Sequence, residues 1–436
     1  MEPAVDLVNM GDLNYICFDA MSEVTMSIAQ AKMLDDPDTL PYDPDLIKRI
    51  TPILELCLEK DIKIITNSGW LDPVAAAAKV IEHAKNIGIK NLKIATVTGS
   101  NLGIRVADLG VNFIETGTPV NDSREQIISG EVYLGAEGIV EGLKSGANII
   151  ITGRIGDSCM YLAALAHEFG WSFENPNEMA KGMIIGHLME CGSQITGGCF
   201  ADPGYKDVPD IANLGNPIAE VTDDRVIITK IPTSGGTITE ATCKEQLLYE
   251  VHDPSCYYCP DVIADLSKVT FSQISKDTVE VIIENAGIPK TSTLKALIGL
   301  REGFIAEELV LFAGPGAIKR AELTKHILNE RFNTVSLLAE EIRWDFVGLT
   351  AVHREASPAI PPDPYEVILR VAVKTQCREQ AAKLGAEIDA IAVNGPAGVG
   401  KWGTHSPGSR IRPVIGLNSA LIPRKEVPFS VRMFES

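Results

Sequence analysis

Four short apolar runs punctuate the first part of the chain: NYICF (14–18), IKIIT (62–66), LKIAT (92–96) and ANIIIT (147–152). Each is rich in β-branched residues and ends at a polar or glycine-containing turn, the pattern of a strand buried on both faces. Between them, PDLIKRITPILELCLEK and DPVAAAAKVIEHAKNIG carry apolar residues at helical spacing. Asp72 and Pro73 supply a capping acid and a first-turn proline for the second of these helices. Strand and helix alternating in this way predict a doubly wound, mostly parallel α/β sheet covered on both faces.

From about residue 220 the texture changes. RVIITKI, VEVIIEN, KALIGLR, DFVGLTAV, YEVILRVAVKT and VPFSVRMF read as strands, several of them alternating as half-exposed strands do. Helical patterns are fewer, at 315–332 and 375–385, so a mixed α+β C-terminal part is expected. The proline-dense stretch HREASPAIPPDPYE (353–366) reads as an exposed loop or linker. The length of 436 residues suits two or three domains. The expected division is a parallel α/β domain over 1–220, a mixed region over 221–352 and a C-terminal α+β segment over 353–436.

Composition narrows the function. The chain is 45% hydrophobic and 22% charged, as globular proteins are. Its net charge of −19 and lack of a basic cluster argue against nucleic acid, whose phosphates are neutralised by Lys and Arg. No apolar run is long enough to span a membrane, and the N-terminus lacks the basic and apolar segments of a secretory signal, so a cytoplasmic protein is expected. Nine scattered cysteines fit reduced thiols. Cys256 and Cys259 form a lone C-x-x-C; zinc would require a second ligand pair, and a redox role a βαβ context.

Ligands of open parallel sheets bind outside the carboxyl ends of the strands. The four runs continue there into Asp19 and Glu23, into Asn67-Ser68-Gly69, into Thr98-Gly99-Ser100-Asn101, and into Gly153-Arg154-Ile155-Gly156-Asp157. Arg154 presents a planar fork suited to carboxylate or phosphate, or to a buried carboxylate of the protein. Asp157 reads either as a site acid or as the N-cap of the following helix. Asn67 and Ser68 are also common turn residues.

The helix over 178–191 is apolar around nearly its whole circumference and so should be buried. His187 and Glu190 lie three residues apart on one side of it, either bonded to each other or working as an acid/base pair. An H-x-x-E pair also occurs among metal ligands in helical bundles, but two such motifs are needed there. Thr196-Gly197-Gly198 and Ser234-Gly235-Gly236 are either tight turns or converging N–H groups that would hold an anion or oxyanion. Lys206 and Asp207 sit on a loop stiffened by Pro203 and Pro209. Residues 394–401 end in Gly-Lys without the Ser or Thr of a phosphate-binding loop, and His252-Asp253-Pro254 reads as a helix end.

ANIIITGRIGDSCMYLAALAHEFGW, GHLMECGSQITGGCFADPGYKDVPDIANLGNPIAEV, KEQLLYEVHDPSCYYCPDV, LFAGPG and AVNGPAGVG resemble the acyclic terpene utilisation AtuA family, formerly a domain of unknown function, from residue 2 to about residue 435. The resemblance implies a cytoplasmic protein of branched-chain acyl catabolism that hydrates or cleaves a 3-hydroxy-glutaryl-CoA-like thioester. Family members usually begin with an extra strand and glycine-rich turn, often have Glu where Asp19 stands, and many carry or accompany a small ferredoxin-like domain. A small ferredoxin-like companion protein is therefore expected; a homo-oligomer is a separate expectation. On this reading His187 and Glu190 form the acid/base pair, with Asp19, Glu23 and Asp157 as further acids or bases. Thr196, Gly197 and Gly198 stabilise an oxyanion, and Arg154 with Lys206 holds the anionic ligand. Asn67, Ser68, Ser100, Asp207, Gly235 and Gly236 complete the ligand site. No metal or separate cofactor is expected, coenzyme A entering as part of the substrate. The alternatives are a non-catalytic acyl-CoA-binding or scaffolding subunit and a metal-dependent hydrolase.

Overall fold

The predicted strands come together in the computed structural model, which describes residues 2–359, 364–401 and 411–436. Strands β1 (Tyr15–Phe18), β2 (Lys63–Thr66), β3 (Lys93–Thr98), β4 (Ile127–Val132) and β5 (Ile149–Thr152) follow in chain order. One sheet has the order β1-β2-β5-β3 followed by the last strand, Ser430–Glu435. The first four are parallel, with Phe18 opposite Thr66, Thr66 opposite Ile151 and Val97 opposite Thr152. Their carboxyl ends therefore emerge along one edge. β4 lies outside this sheet and pairs with the long strand Thr293–Ala313.

Along residues 2–247 the helices are α1 (Glu2–Met10), α2 (Thr25–Asp35), α3 (Leu46–Glu59), α4 (Pro73–Asn86), α5 (Glu137–Lys144), α6 (Cys159–Phe169), α7 (Pro176–Met189) and α8 (Glu240–Leu247). In α3 the buried residues Leu46, Ile50, Ile53, Leu54 and Cys57 form one stripe against Ile16, Ile64 and Ile149. Asp72 caps α4 as expected, accepting from the N–H groups of Val74 and Ala75 at 3.0 Å. Helix α7 is buried without a break from Met183 to Met189, matching its unbroken apolar surface.

The chain divides into two compact units, Met1–Gly299 with Leu417–Ser436, and Leu300–Gly416. In the first, the segment read as VPFSVRMF returns to the N-terminal sheet, antiparallel to β3 with Ser430 opposite Thr98. Alternation announces a strand but not its partner. A four-stranded antiparallel sheet is built from residues 217–221, 226–230, 269–275 and 278–283.

In the second unit Glu366–Thr375 pairs antiparallel with Phe304–Ala313 on one side and with Glu341–Val347 on the other. Helices Ala317–Thr334 and Arg378–Asn394 pack on it through Ala321, Leu328, Leu384 and Ile388. The DFVGLTAV strand stops at Val347 because Gly348 turns into the left-handed region, φ +88°. Residues 360–363 of the proline-dense loop lie outside the described residues. Among the described residues no helix is long and apolar enough to cross a membrane.

Candidate active site

Turns leaving β1, β2, β3 and β5 bring Asp19, Asn67, Ser100 and Arg154 to the same sheet edge. The fully buried Asn67 donates from Nδ2 to Asp19 Oδ1 at 2.6 Å and accepts the Ala20 N–H at 2.7 Å, so it fixes the Asp19 carboxylate. Ser100 Oγ accepts the Arg154 N–H at 3.2 Å. A Cβ at Gly153 would come within 2.7 Å of that hydroxyl, so only glycine lets the two turns touch. Ser68 does not join them. Its hydroxyl donates to Asp43 at 3.2 Å, and the Asp43 carboxylate also receives Arg49 at 2.9 Å.

Arg154 is only 1% exposed. Its Nε and Nη2 donate to the carbonyl of Ile155, Nη2 also meets Asp157, and Nη1 has no partner. The Tyr133 ring covers the guanidinium at 4.3 Å. The expected direct grip on an anionic ligand is therefore closed off; the guanidinium lies beneath the carboxylates as their fixed counter-charge. Burial works against that charge, but Asp157, Tyr133 and Asp19 outweigh it and hold the pKa above its ordinary value. Asp157 spends its carboxylate on this pair and makes no cap bond to α6, so the N-cap alternative falls away.

Asp19, Asp157 and Glu190 all stand above the usual carboxylate range, and in each burial is the first cause. They also act on one another: Glu190 raises Asp19, Asp19 raises Asp157, and Asp157 raises Glu190. Asp19 is nonetheless open to solvent, and the Asp157 side chain is 35% exposed. Dense protein around accessible carboxyl groups describes a hollow. Glu190, 11% exposed, reaches it from the end of α7. A Cβ at Gly186 would strike the Ser158 carbonyl at 2.4 Å, so glycine there lets α7 run hard against the start of α6.

His187 Nδ1 lies 2.9 Å from Glu190 Oε1, and its Nε2 lies 3.2 Å from the carbonyl oxygen of Leu247 on α8. A carbonyl only accepts, so Nε2 carries a hydrogen. One further proton is then shared between Nδ1 and Glu190, as either a neutral pair or an ion pair. At 1% exposure His187 orients Glu190 and does not itself face the hollow.

Sequence reasoning missed several members. Tyr133 covers Arg154 and donates its hydroxyl to Glu23 at 3.1 Å, and Lys295 reaches Glu23 at the same distance. Burial pushes Glu23 up, but Lys295 and Tyr133 outweigh it and hold its carboxyl below the ordinary range. Glu131 on β4 is 2% exposed with both oxygens unpartnered; burial pushes its pKa up to about 8, against the pull of Ser100 and Arg154. The phenols of Tyr161 and Tyr257 also feel Glu190. Glu131 in GEVYLG could have been found, because an ionisable residue flanked by buried strand positions needs an explanation.

The glycine pairs form a separate cluster. The N–H groups of Gly197 and Gly198 donate to Gln194 and Ser193, and those of Gly235 and Gly236 to Asn213 and Pro209. They are committed to their turns and leave no converging donors for an oxyanion. Thr196 Oγ1 likewise donates to Gly215. Lys206 pairs with Glu245, and Asp207 accepts the Gly204 N–H at 3.1 Å. Among the described residues no three His, Cys, Asp or Glu side chains are arranged to hold a metal. Two clefts, of about 350 and 480 Å³, open elsewhere on this unit and share no residue with the hollow.

Compared with known families, the chain matches one described as acyclic terpene utilisation family protein AtuA over residues 1–433. No curated protein and no solved structure matches it significantly.

Proposed function

The chain belongs to the acyclic terpene utilisation AtuA family, and on that premise we propose that it is an enzyme moving protons on a short branched or dicarboxylic acyl-CoA, as a hydratase or lyase. What carries this reading is the set of three carboxyl groups, Asp19, Asp157 and Glu190, each pushed above its ordinary pKa by the protein around it. Asp19 and Asp157 stay open to solvent, and Glu190 keeps a small exposed edge. Carboxyl groups displaced toward neutrality serve as acid and base at one pH. Because the three oppose one another's ionisation, the set holds protonated and ionised members together.

In a dehydration, an ionised member removes the proton α to the thioester carbonyl and a protonated neighbour gives its proton to the departing β-hydroxyl, releasing water. In a cleavage, the base takes the β-hydroxyl proton as the Cα–Cβ bond breaks, and the acid protonates the enolate left on the thioester. Glu190 suits the acid role, since the one proton held between it and His187 Nδ1 can pass through Glu190 to the leaving group, after which solvent reprotonates the pair. Arg154 keeps the group of carboxylates from repelling a developing negative charge. The setting proposed is cytosolic, with coenzyme A present only as part of the substrate.

The test is turnover of a panel of 3-hydroxyacyl- and enoyl-CoA thioesters by the purified chain, followed by chromatography of the thioesters. Turnover that Glu190→Gln removes without lowering the melting temperature supports the reading. A thioester that raises the melting temperature but is never converted, alone or with a small companion protein, would identify a binding subunit instead.

A further inference from the structure

The cleft of about 350 Å³ beside the start of α5 takes no part in the chemistry above. Its lining includes the apolar residues Leu134, Leu294, Val427 and Phe429 and two cations, Arg424 and Lys290. Arg424 is held by main-chain oxygens: Nε donates to the Thr291 carbonyl at 2.7 Å and Nη2 to that of Pro260. No carboxylate among the described residues bonds it. Burial pulls its pKa below the ordinary value, although Asp261 and Glu137 oppose this, whereas Arg154 with Asp157 against it stands above. A half-buried guanidinium without a bonded anion lacks the partner its desolvation calls for.

The two acids of the cleft are occupied. Asp261 is 4% exposed and accepts the Ala136 N–H at 2.8 Å and the Cys159 thiol at 3.4 Å. Glu137 meets Lys290 at 3.3 Å. Their presence disfavours a dianion, while the apolar lining favours a ligand with a hydrocarbon part.

We propose that this cleft is a second binding site, for a small monoanionic carboxylate whose carboxyl group pairs with the Arg424 fork near Lys290 and whose chain lies along Leu134, Leu294, Val427 and Phe429. The planar guanidinium matches a carboxylate two bonds at a time. The proposal stands apart from the acyl-CoA reading, because it uses neither the hollow nor its acids.

Titration calorimetry on the full chain with butanoate, hexanoate, octanoate and inorganic phosphate at matched ionic strength tests it. The expected result is saturable binding that tightens roughly fourfold per added methylene until the apolar lining is covered, with phosphate much weaker. Arg424→Gln should abolish binding, and Asp19→Asn should leave it unchanged, which separates this site from the hollow. Should Arg424→Gln fail to fold, Lys290→Glu serves: it reverses a charge on a side chain that among the described residues is bonded to Glu137 alone, and should weaken hexanoate more than tenfold. Absence of saturable binding, phosphate matching hexanoate, or affinity untouched by Arg424→Gln and Lys290→Glu would overturn the proposal.

Discussion

In the unit Leu300–Gly416, Asp345 accepts from Arg343 at 2.9 and 3.0 Å and from Arg370 at 2.5 Å, and these cations hold its carboxyl below the ordinary range against the push of burial. In the other unit, Asp157 also touches an arginine, yet stands above that range. Burial raises both. The difference is in the neighbours: Asp345 has two guanidinium groups, whereas Asp157 shares the single cation Arg154 with Asp19 and Glu23. Arginine beside aspartate therefore does not by itself mark a structural pair. A carboxylate with surplus cation is a fastening, and one with surplus anion is poised to take or give a proton.

The largest effect that would test this contrast is on Arg154. Arg154→Ala should destabilise the fold by roughly 2–4 kcal/mol, the cost of breaking a buried pair discounted for the partial exposure of Asp157, and should abolish turnover. Denaturant melts and the thioester assay would show both losses; intact turnover would end the idea that Arg154 is the counter-charge of the hollow. Next comes Glu190→Gln, expected to lower kcat by roughly 10²–10⁴ while the melting temperature stays within a few degrees. A change confined to KM would move Glu190 from proton transfer to binding.

Acidity distinguishes the two kinds of carboxyl by sign. Folded Glu131 keeps its proton up to about pH 8, while the unfolded group releases it near the ordinary 4.5. Between those values the folded state holds the extra proton, so stability falls as pH rises, by at most roughly 1.4 kcal/mol per pH unit. Glu131→Gln should flatten that fall, and an unchanged slope in melts across the range would show that Glu131 is ionised. Asp345 works in the opposite sense. Its contribution is present above the ordinary 3.8 and is lost as pH falls through its lower folded value. Asp345→Asn should lose roughly 1–3 kcal/mol at neutral pH, with turnover kept.

How much of this was legible follows from what the sequence encodes locally. The parallel strands and their polar continuations were readable, because hydrophobic period and turn chemistry are local signals; Asp19, Asn67 and Arg154 followed from them. The last strand's return to β3 was not, since pairing between Ser430 and Thr98 is a long-range fact. Burial of Arg154 under Tyr133 was hidden for the same reason. The glycine pairs misled because Gly-Gly announces a turn without saying whether its N–H groups are already taken. Gly236 gives its own to Pro209 at 2.8 Å, which no spacing rule foretells.

The smallest expected effect comes from the loop between Pro203 and Pro209. Lys206 is 43% exposed at its side chain, pairs with Glu245 and lies over the Phe200 ring at 4.8 Å. Exposed pairs of this kind contribute roughly 0.2–1 kcal/mol and are screened by salt. Lys206→Ala should therefore lower the melting temperature slightly at low salt, less at high salt, and leave both kcat and KM alone. The charge has no surplus carboxylate to answer and no buried neighbour to neutralise, unlike Arg154. A tenfold rise in KM for an acyl-CoA would return this loop to the ligand path, and local surplus of charge would then fail as the criterion separating the two kinds of site.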